Sequence, residues 1–380
     1  MAKKIEVVDN EDSVDNSKSV LRGILTSKEH KDEHYNFHER VTWKVSTGSL
    51  LLDVATGGVS PSMWRICGNN NCGKTPSTLE IVRNIFLNVP NSKCLWVIAE
   101  GRGLSDENVA RCGLKFVYDP DEWEEHTVFV LESNVYELFI EVVKKLVLDN
   151  PNNTKYAFVV DSVDGLMLKD DREKDITDNN KVAGVPALSK KMLQSLSLGM
   201  FKFGHWMGLI SQVTSEIKLD KYTKTADRGG NFSGGNALLH GSDYIINFEP
   251  SYGGDFIFNE VDGKLTNLNT KPIGQNVRVT LLKSGLEASK KTTVVYPIKY
   301  GRKPSGIWRE REVGDTLILW EIVKKAGAWI TVPDEVVAEL AEHGMECKNK
   351  LQGIKGLYSL LEENNDICDY FYNKFIKLMS

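Results

Sequence analysis

Residues 68–75 read Gly68-Asn69-Asn70-Asn71-Cys72-Gly73-Lys74-Thr75, which matches the phosphate-loop pattern G-x-x-x-x-G-K-S/T. They follow a short apolar run, Ile66 and Cys67, and precede a segment whose pattern predicts a helix. Glycines allow backbone N–H groups to surround phosphate oxygens, and a helix N-terminus adds unpaired donors. The pattern predicts that Lys74 contacts the β- and γ-phosphates of a nucleotide and that the Thr75 hydroxyl ligates Mg²⁺. The alternative is a glycine-containing turn that binds nothing.

The composition is that of an ordinary globular protein. The 380 residues are 41% hydrophobic and 26% charged, which suggests one large domain with one or two appendages. No apolar run approaches the roughly 20 residues that a membrane span needs, and the polar start is unlike a signal peptide, so we expect a cytoplasmic protein without a membrane partner. The six cysteines form no C-x-x-C pair, which fits reduced thiols. With a net charge of −5, any nucleic-acid contact must come from local loops of many subunits.

Three regions differ in their residue patterns. Residues 1–40 are charged and predict an arm that packs on another surface through one amphipathic turn around Val20, Leu21 and Ile24. Residues 41–313 predict the core domain. Residues 314–380 predict a small, mainly helical C-terminal domain.

Three histidines in the arm, His30, His34 and His38, recur every four residues and would share one helix face. This spacing could hold a metal ion, but a supporting acid or thiol ligand is missing. A solvated, charged helix is the preferred interpretation.

The core region alternates apolar, strand-like runs with longer helix-like segments, which predicts a mostly parallel sheet with helices on both faces. An apolar stripe that includes Met192, Leu196 and Met200 predicts a core helix between two of the strands. Pro297 lies in the last strand-like run and favours an edge position for it. The candidate strands are 94–99, 156–160, 207–211, 244–248, 277–282 and 293–298.

Polar side chains follow three of these candidate strands. Asp161 ends one run and is expected to support Mg²⁺, as the acid of a second strand does in phosphate-loop enzymes. Glu100 ends another run, where it could orient an attacking water; its alternative is a surface acid at a strand end. Gln212 ends a third run, where its amide could contact a γ-phosphate. Because carboxyl ends of parallel strands meet at one edge, these side chains are expected to converge on the phosphate loop.

Two irregular segments, 169–187 and 213–241, leave from the same predicted edge of the sheet. Long loops of this kind are functional or disordered, and their cations and glycines suit a phosphate backbone, which predicts a DNA-facing surface. The alternative for each is a solvated loop. The candidate DNA-binding residues are Lys169, Arg172, Lys174, Lys181, Lys218, Lys221, Lys224, Arg228, Gly234, Gly235 and Asn236.

The ordered set of motifs resembles the RecA recombinase family, and more particularly its phage-encoded members. The resemblance begins with Val45-Ser46-Thr47-Gly48-Ser49-Leu50 before the phosphate loop and includes Ala99-Glu100, Val159-Val160-Asp161-Ser162 and Ser211-Gln212. It continues through Gly234-Gly235-Asn236-Ala237-Leu238 and Lys325-Ala326-Gly327-Ala328-Trp329. These motifs span residues 45–329 in the order and spacing of the family.

The resemblance implies an α/β fold with a RecA-like phosphate-loop core, an N-terminal helical arm and a small C-terminal domain. It implies ATP and Mg²⁺ as cofactors, a helical filament on single-stranded DNA with nucleotide between protomers, and strand exchange with duplex DNA in a bacterial or phage-infected cytoplasm. Glu100, Lys74, Gln212 and Lys283 would be catalytic, and Thr75 and Asp161 would hold the metal ion. The nucleotide would contact Gly68, Asn69, Asn70, Asn71, Cys72, Gly73, Lys74, Thr75, Pro76 and Asp161.

Several positions depart from the family pattern, among them the run Gly101-Arg102-Gly103 directly after Glu100. Asn108 stands where an aromatic residue often stacks on adenine, and Gly285 occupies the second of two lysine positions that reach the neighbour's nucleotide, the first being Lys283. Gly285 and the altered run after Glu100 favour, as an alternative, a weakly catalytic accessory filament that coats DNA without efficient turnover. A hexameric helicase motor has the same core but gives no reason for the two later motifs.

Overall fold

The computed structural model describes residues 16–31, 33–101, 104–173, 184–214, 231–232, 235–258, 271–285 and 292–379. It forms two compact units, residues 1–40 and residues 41–380. Among the described residues no helix has the length and apolar character to cross a bilayer.

In the described part of the first unit, residues 16–31 and 33–40, there is one helix, α1 (Asn16–Leu25). Its apolar side chains Val20, Leu21 and Ile24 are each at least half exposed, so the amphipathic turn predicted from the sequence lacks a core of its own. His30, His34 and His38 follow the helix in turns and do not share a helix face, contrary to the prediction. His34 instead donates from Nε2 to the carbonyl of Leu25 at 2.8 Å and accepts the Asn36 N–H at Nδ1. No cluster of metal-ligating side chains occurs among the described residues.

The second unit alternates strands and helices along most of its length. Its helices are α2 (Leu50–Thr56), α3 (Lys74–Asn88), α4 (Asp106–Cys112), α5 (Tyr136–Leu148), α6 (Lys169–Glu173), α7 (Gly184–Lys202), α8 (Gly235–Gly241), α9 (Arg309–Leu319), α10 (Asp334–Glu342), α11 (Gly353–Glu363) and α12 (Asn365–Met379). Its strands are β1 (Met63–Gly68), β2 (Ser92–Ile98), β3 (Lys115–Val117), β4 (Thr127–Glu132), β5 (Lys155–Asp161), β6 (Trp206–Thr214), β7 (Asn231–Phe232), β8 (Tyr244–Phe248), β9 (Phe256–Ile257), β10 (Gly274–Lys283), β11 (Thr292–Lys299), β12 (Lys324–Ala326), β13 (Trp329–Thr331) and β14 (Lys350–Gln352).

The central sheet has the strand order β11-β10-β8-β1-β6-β5-β2-β4-β3, with β7 and β9 added to β6 and β10. The run from β8 to β3 is parallel, whereas β10 is antiparallel to both β8 and β11. The predicted mostly parallel α/β sheet is therefore confirmed. All six predicted strands are present, and β11, which contains Pro297, lies at an edge as expected.

Apolar side chains on the two faces of the sheet form separate cores. Trp64 and Ile66 of β1 point to the face covered by α3, in one buried cluster. Phe158 and Val160 of β5 belong to the cluster on the other face, which α5 and α7 cover. The stripe of Met192, Leu196 and Met200 on α7 is almost fully buried, as the sequence predicted. The phosphate-loop strand thus lies in the middle of the sheet with both faces protected from water.

A third apolar cluster holds the C-terminal segment together. Val313, Ile330, Phe371 and Phe375 pack there, with Leu50 of α2 contributing from the core region. The segment contains the predicted helices but also a three-stranded sheet, β12-β13-β14, which the sequence analysis did not predict. The boundary predicted at residue 314 falls inside α9.

Candidate nucleotide-binding site

The phosphate loop connects the end of β1 to the start of α3. Gly68 has a φ of 148°, and a Cβ at this position would lie 2.4 Å from the carbonyl oxygen of Phe248 on the neighbouring strand β8. Gly73 has a φ of 94° and caps the N-terminus of α3. These two positions need glycine for close approach and for left-handed backbone. The loop therefore brings the N-terminal N–H groups of α3 to the carboxyl edge of the sheet, which is an anion-binding arrangement.

Lys74 lies against the inner side of this loop. Its Nζ donates to the carbonyl oxygens of Gly68 at 2.8 Å and of Asn69 at 2.7 Å. The side chain is buried, and burial lowers the pKa of its ammonium group. A desolvated ammonium held at a phosphate loop interacts strongly with an anion, because the screening by water is reduced.

Thr75 and Asp161 meet at the same edge. The Thr75 hydroxyl donates to Asp161 Oδ2 at 2.9 Å. Burial raises the pKa of Asp161, the bond from Thr75 opposes that shift, and the nearby charge of Glu100 adds to it. A hydroxyl and a carboxylate are hard oxygen ligands, and Mg²⁺ in nucleotide sites usually takes only one or two protein ligands beside phosphate and water. These two residues therefore fit the metal ion that the sequence predicted.

Glu100 and Gln212 form direct contacts across the ends of β2 and β6. The Gln212 amide nitrogen Nε2 donates to Glu100 Oε1 at 3.2 Å and Oε2 at 3.4 Å. The Ser162 hydroxyl, one residue after Asp161, also donates to Glu100. Gln212 is the register partner of Gly68, and Asp161 that of Ile98, so the fold places all four predicted residues of the edge side by side.

Comparison with known proteins shows similarity to RecA along most of the chain. Protein RecA of Campylobacter jejuni subsp. doylei is 25% identical over 331 residues, which are 86% of this chain and 81% of the relative. Protein RecA of Malacoplasma penetrans is 26% identical over 329 residues (86% and 84%), and that of Bordetella pertussis is 25% identical over 333 residues (83% of both). No protein-family profile matches the chain.

The chain is thus similar to RecA proteins over most of its length, at about 25% identity. The family resemblance that the motifs carry is thereby supported, and the α/β fold with its parallel central sheet is consistent with it. The narrower expectation of a phage-encoded member stays a prediction.

The two segments predicted to bind DNA lie only partly within the described residues. Lys169 and Arg172 are on α6, and Gly235 and Asn236 belong to the first turn of α8, whereas Lys174, Lys181, Lys218, Lys221, Lys224, Arg228 and Gly234 lie outside the described residues. The predicted limits 169–187 and 213–241 were too wide, because α6, α7, β6, β7 and α8 occupy their ends. Local helix and strand pairing there depends on contacts with the core, which composition does not reveal.

Lys169 and Arg172 line an open cavity of about 550 Å³, together with Ser133, Glu137 and Glu141. The backbone N–H of Lys169 donates to Glu137 Oε2 at 2.9 Å, which fixes the start of α6. The cavity lies beyond the end of β4, on the edge of the sheet that also carries the phosphate loop. The described part of the first segment predicted to bind DNA is thus held by α5.

Lys283 lies away from the phosphate loop of its own chain. Lys283 of β10 pairs with Ile245 of β8, and Ile245 in turn pairs with Arg65 of β1. Arg65 lies three residues before Gly68, where the phosphate loop begins. The Nζ of Lys283 donates to the carbonyl oxygens of His240 at 3.0 Å and Ser242 at 2.5 Å, at the C-terminal end of α8. The structure therefore does not bring this predicted catalytic lysine to the other site residues of the same chain.

A narrow cavity beside the first turn of α3 is lined by Pro76, Ser77, Asn108, Pro304 and Ile307. It brings Asn108 and Pro76, which are distant in sequence, to one surface next to the phosphate loop.

Sequence reasoning missed several residues of this site. Asp164 accepts the backbone N–H of Gln212 at 2.7 Å, and the Ser162 hydroxyl lies 3.2 Å from the same oxygen. Arg65 is fully buried in β1 and donates from Nε to the Ser211 hydroxyl at 3.3 Å. An arginine inside an apolar strand was a usable signal, since buried charges need partners. Asp164 carried no such signal, because an acid in a turn is common.

Proposed function

We propose that the chain is an ATP-dependent recombinase that hydrolyses ATP in response to single-stranded DNA and promotes strand exchange with duplex DNA. The observation that carries the proposal is the convergence of Lys74, Thr75, Asp161, Glu100 and Gln212 at one sheet edge in a chain similar to RecA. Lys74 and Thr75 begin the helix that follows β1, and the other three residues lie at or just beyond the carboxyl-end region of β2, β5 and β6, which are neighbours of β1 in the sheet. A simple phosphate-binding turn would not need the acid and amide on the three other strands.

Each residue has a defined role in this proposal. The loop N–H groups and Lys74 bind the phosphates, and Thr75 with Asp161 holds Mg²⁺, which when bound neutralises charge that develops on the transferred phosphoryl group. Glu100 orients the attacking water. In the present structure the Gln212 side-chain amide donates hydrogen bonds to the Glu100 carboxylate. If the Gln212 amide instead donated its hydrogen bond to a γ-phosphate, Glu100 would lose this partner. The same change would move the start of the segment that we propose binds DNA.

Two features support assembly into a filament. The apolar side chains of α1 are exposed, as expected for an arm that packs on the next protomer. Lys283 is level with the middle of β1 and away from its own phosphate loop, which suits a lysine that reaches a neighbour's nucleotide. A filament also multiplies modest loop charge over many subunits, so the net charge of −5 is compatible with DNA binding.

ATP hydrolysis by the purified protein, with and without poly-dT, tests the proposal. We expect the DNA to raise the rate, and Lys74→Ala to abolish the increase because the phosphates lose their main cation. Lys93→Ala is a matched control, since Lys93 contacts the Trp123 carbonyl near the start of β2, on the opposite edge of the sheet. The proposed enzymatic function would be refuted if poly-dT did not stimulate hydrolysis and if Lys74→Ala left the rate of hydrolysis unchanged.

A second candidate is a weakly catalytic accessory filament that coats DNA. It is favoured by Gly285, where the family resemblance predicts a second lysine, and by the engagement of Lys283 with α8 of its own chain. In this case electron microscopy with ATP and poly-dT would reveal filaments while turnover stays at the DNA-free rate. Stimulated turnover in the same samples would exclude it.

A further inference from the structure

The turn Val163–Gly165, which follows β5, contacts the ends of both neighbouring strands. On the β2 side Gly165 lies so close to Ala99 that an added Cβ would be 2.6 Å from the Ala99 carbonyl oxygen. On the β6 side Asp164 Oδ2 accepts the backbone N–H of Gln212 at 2.7 Å. A single turn therefore bridges the strand that carries Glu100 and the strand that carries Gln212.

The side chains around this turn form a closed ring of hydrogen bonds. The Gln212 side-chain amide donates to Glu100, and the Gln212 backbone N–H donates to Asp164. The Ser162 hydroxyl contacts both carboxylates, Glu100 and Asp164. Because this hydroxyl has one proton for two acceptors, its orientation depends on both carboxylates together. Loss of one member would loosen the others, as hydrogen-bonded networks are cooperative.

We propose that Asp164 is a positioning residue for ATP hydrolysis: by holding the Gln212 backbone and the Ser162 hydroxyl, it sets where Gln212 and Glu100 lie relative to each other. The inference rests on the proposed function, because it assigns Asp164 a role in the reaction of that site. Asp164 does not touch the phosphate loop in this structure; it acts through Gln212 and Ser162.

Asp164 interacts electrostatically with two buried cations, Arg65 and Lys74. Burial lowers the pKa of Arg65 and of Lys74, and the negative charge of Asp164 is among the influences that oppose this shift in both. Arg65 contacts Ser211, the residue directly before Gln212. Asp164 thus interacts electrostatically with Arg65 of the phosphate-loop strand and holds Gln212 of β6 by a hydrogen bond.

Two substitutions separate a hydrogen-bonding role from a charge effect. Asp164→Ala removes the acceptor, and we expect kcat of poly-dT-stimulated ATP hydrolysis to fall roughly 10- to 100-fold with an almost unchanged KM for ATP, since misplaced catalytic groups cost rates of this order. Asp164→Asn keeps an oxygen acceptor for the Gln212 N–H, and kcat should stay within about threefold of wild type by the same reasoning. Asp149→Ala is the matched control, since Asp149 is an exposed aspartate after α5 at the opposite edge of the sheet.

Hydrogen–deuterium exchange provides a readout that does not depend on turnover. In the nucleotide-free protein, the amide of Gln212 should exchange faster in Asp164→Ala than in wild type, Asp164→Asn or Asp149→Ala. Faster exchange with a lowered kcat, and recovery of both in Asp164→Asn, would support the inference. If kcat of Asp164→Asn were as low as that of Asp164→Ala, the positioning role would be overturned, and the negative charge of Asp164 would be the property that matters.

The failure of this inference is distinguishable from the failure of the proposed function. If wild type responds to poly-dT and Asp164→Ala responds equally, only the role of Asp164 is lost. Unchanged exchange at Gln212 would also refute that role alone. A wild-type protein that poly-dT does not stimulate would instead refute the proposed function, and the role of Asp164 in hydrolysis with it.

Discussion

Glu312 is a fully buried carboxyl group on α9 that contacts α2. Its Oε1 accepts the Ser49 hydroxyl and the Leu51 N–H, whereas Oε2 has no hydrogen-bond partner. Burial raises the pKa of Glu312 to about 7, although the bond from Ser49 opposes the shift. Asp53, which accepts the N–H and hydroxyl of Thr47 at 2.7 Å, has its pKa raised by burial to about 6.

These carboxyl groups predict that stability falls as pH rises. A raised folded-state pKa means that the contribution of Glu312 is fully present below its ordinary value of 4.5 and is lost as pH approaches about 7. Glu312→Gln removes that titration, so the variant should gain roughly 1–3 kcal/mol over wild type near pH 8 and less near pH 5. Urea unfolding at the two pH values measures this, with Glu363→Gln on the exposed end of α11 as control. An equal effect at both pH values would contradict the assignment.

Gly165 predicts a separate loss of activity. A methyl group there would meet the Ala99 carbonyl oxygen at 2.6 Å and Glu100 Cγ at 3.0 Å, and the first contact is with backbone that cannot rotate away. Gly165→Ala should therefore displace Glu100 and lower kcat by roughly tenfold or more while nucleotide affinity stays nearly unchanged. Stopped-flow binding of a fluorescent ATP analogue and steady-state hydrolysis measure the two quantities. Gly101→Ala is the control, because its Cβ would meet nothing within 4 Å; equal kcat in both variants would contradict the expected displacement.

At the level of elements, local pattern identified the longer strands, including the partly exposed β11, and missed the strands of two or three residues and also β4. β5 and β8 are nearly continuous apolar runs, whereas β3 has three residues and β4 leaves Phe129 and Leu131 only partly buried. The strands of the C-terminal sheet also have three residues each, too few for a period to be visible. Strand pairing, not propensity, forms these elements.

The site was predictable for a related reason. Asp161, Glu100 and Gln212 end apolar strands, so their convergence follows from parallel topology alone. The contacts of Lys283 with residues 240 and 242 could not be predicted from the topology, because they join positions about 40 residues apart. Only the register between β10 and β8 defines where these positions meet.

Lys283 contacts the C-terminal end of α8. The Lys283 ammonium lies at the carbonyls of His240 and Ser242, where a cation also interacts favourably with the helix dipole, typically by about 0.3–1 kcal/mol. Lys283→Met should therefore raise hydrogen exchange across residues 235–241 in the nucleotide-free protein, and Lys283→Arg should restore much of the protection. Exchange that is identical in all three proteins would mean that packing of Leu238, which is fully buried, holds this helix by itself.

At the scale of the whole molecule, the proposed filament depends on what residues 16–25 contact in solution. α1 carries Leu21 at 59% exposure and Val20 and Ile24 at 50% each, with no buried residue in the helix. Exposed side chains of this kind add stability only when a second surface covers them, at about 25 cal/mol for each Å² of apolar area. In a protein that assembles end to end, the second surface would belong to the next copy.

Leu21→Glu tests this arrangement, because it replaces the most exposed apolar side chain of α1 with a charge. We expect filaments on poly-dT to shorten or disappear in electron micrographs, since a carboxylate would be desolvated in the contact, while the DNA-free binding of ATP is preserved. Gly23→Glu adds the same charge to the same helix at a position with nothing within 4 Å, two residues along and therefore on a different face. It should leave filament length unchanged. If both variants form wild-type filaments, α1 does not mediate assembly, and the contact between protomers must be sought on residues 41–380.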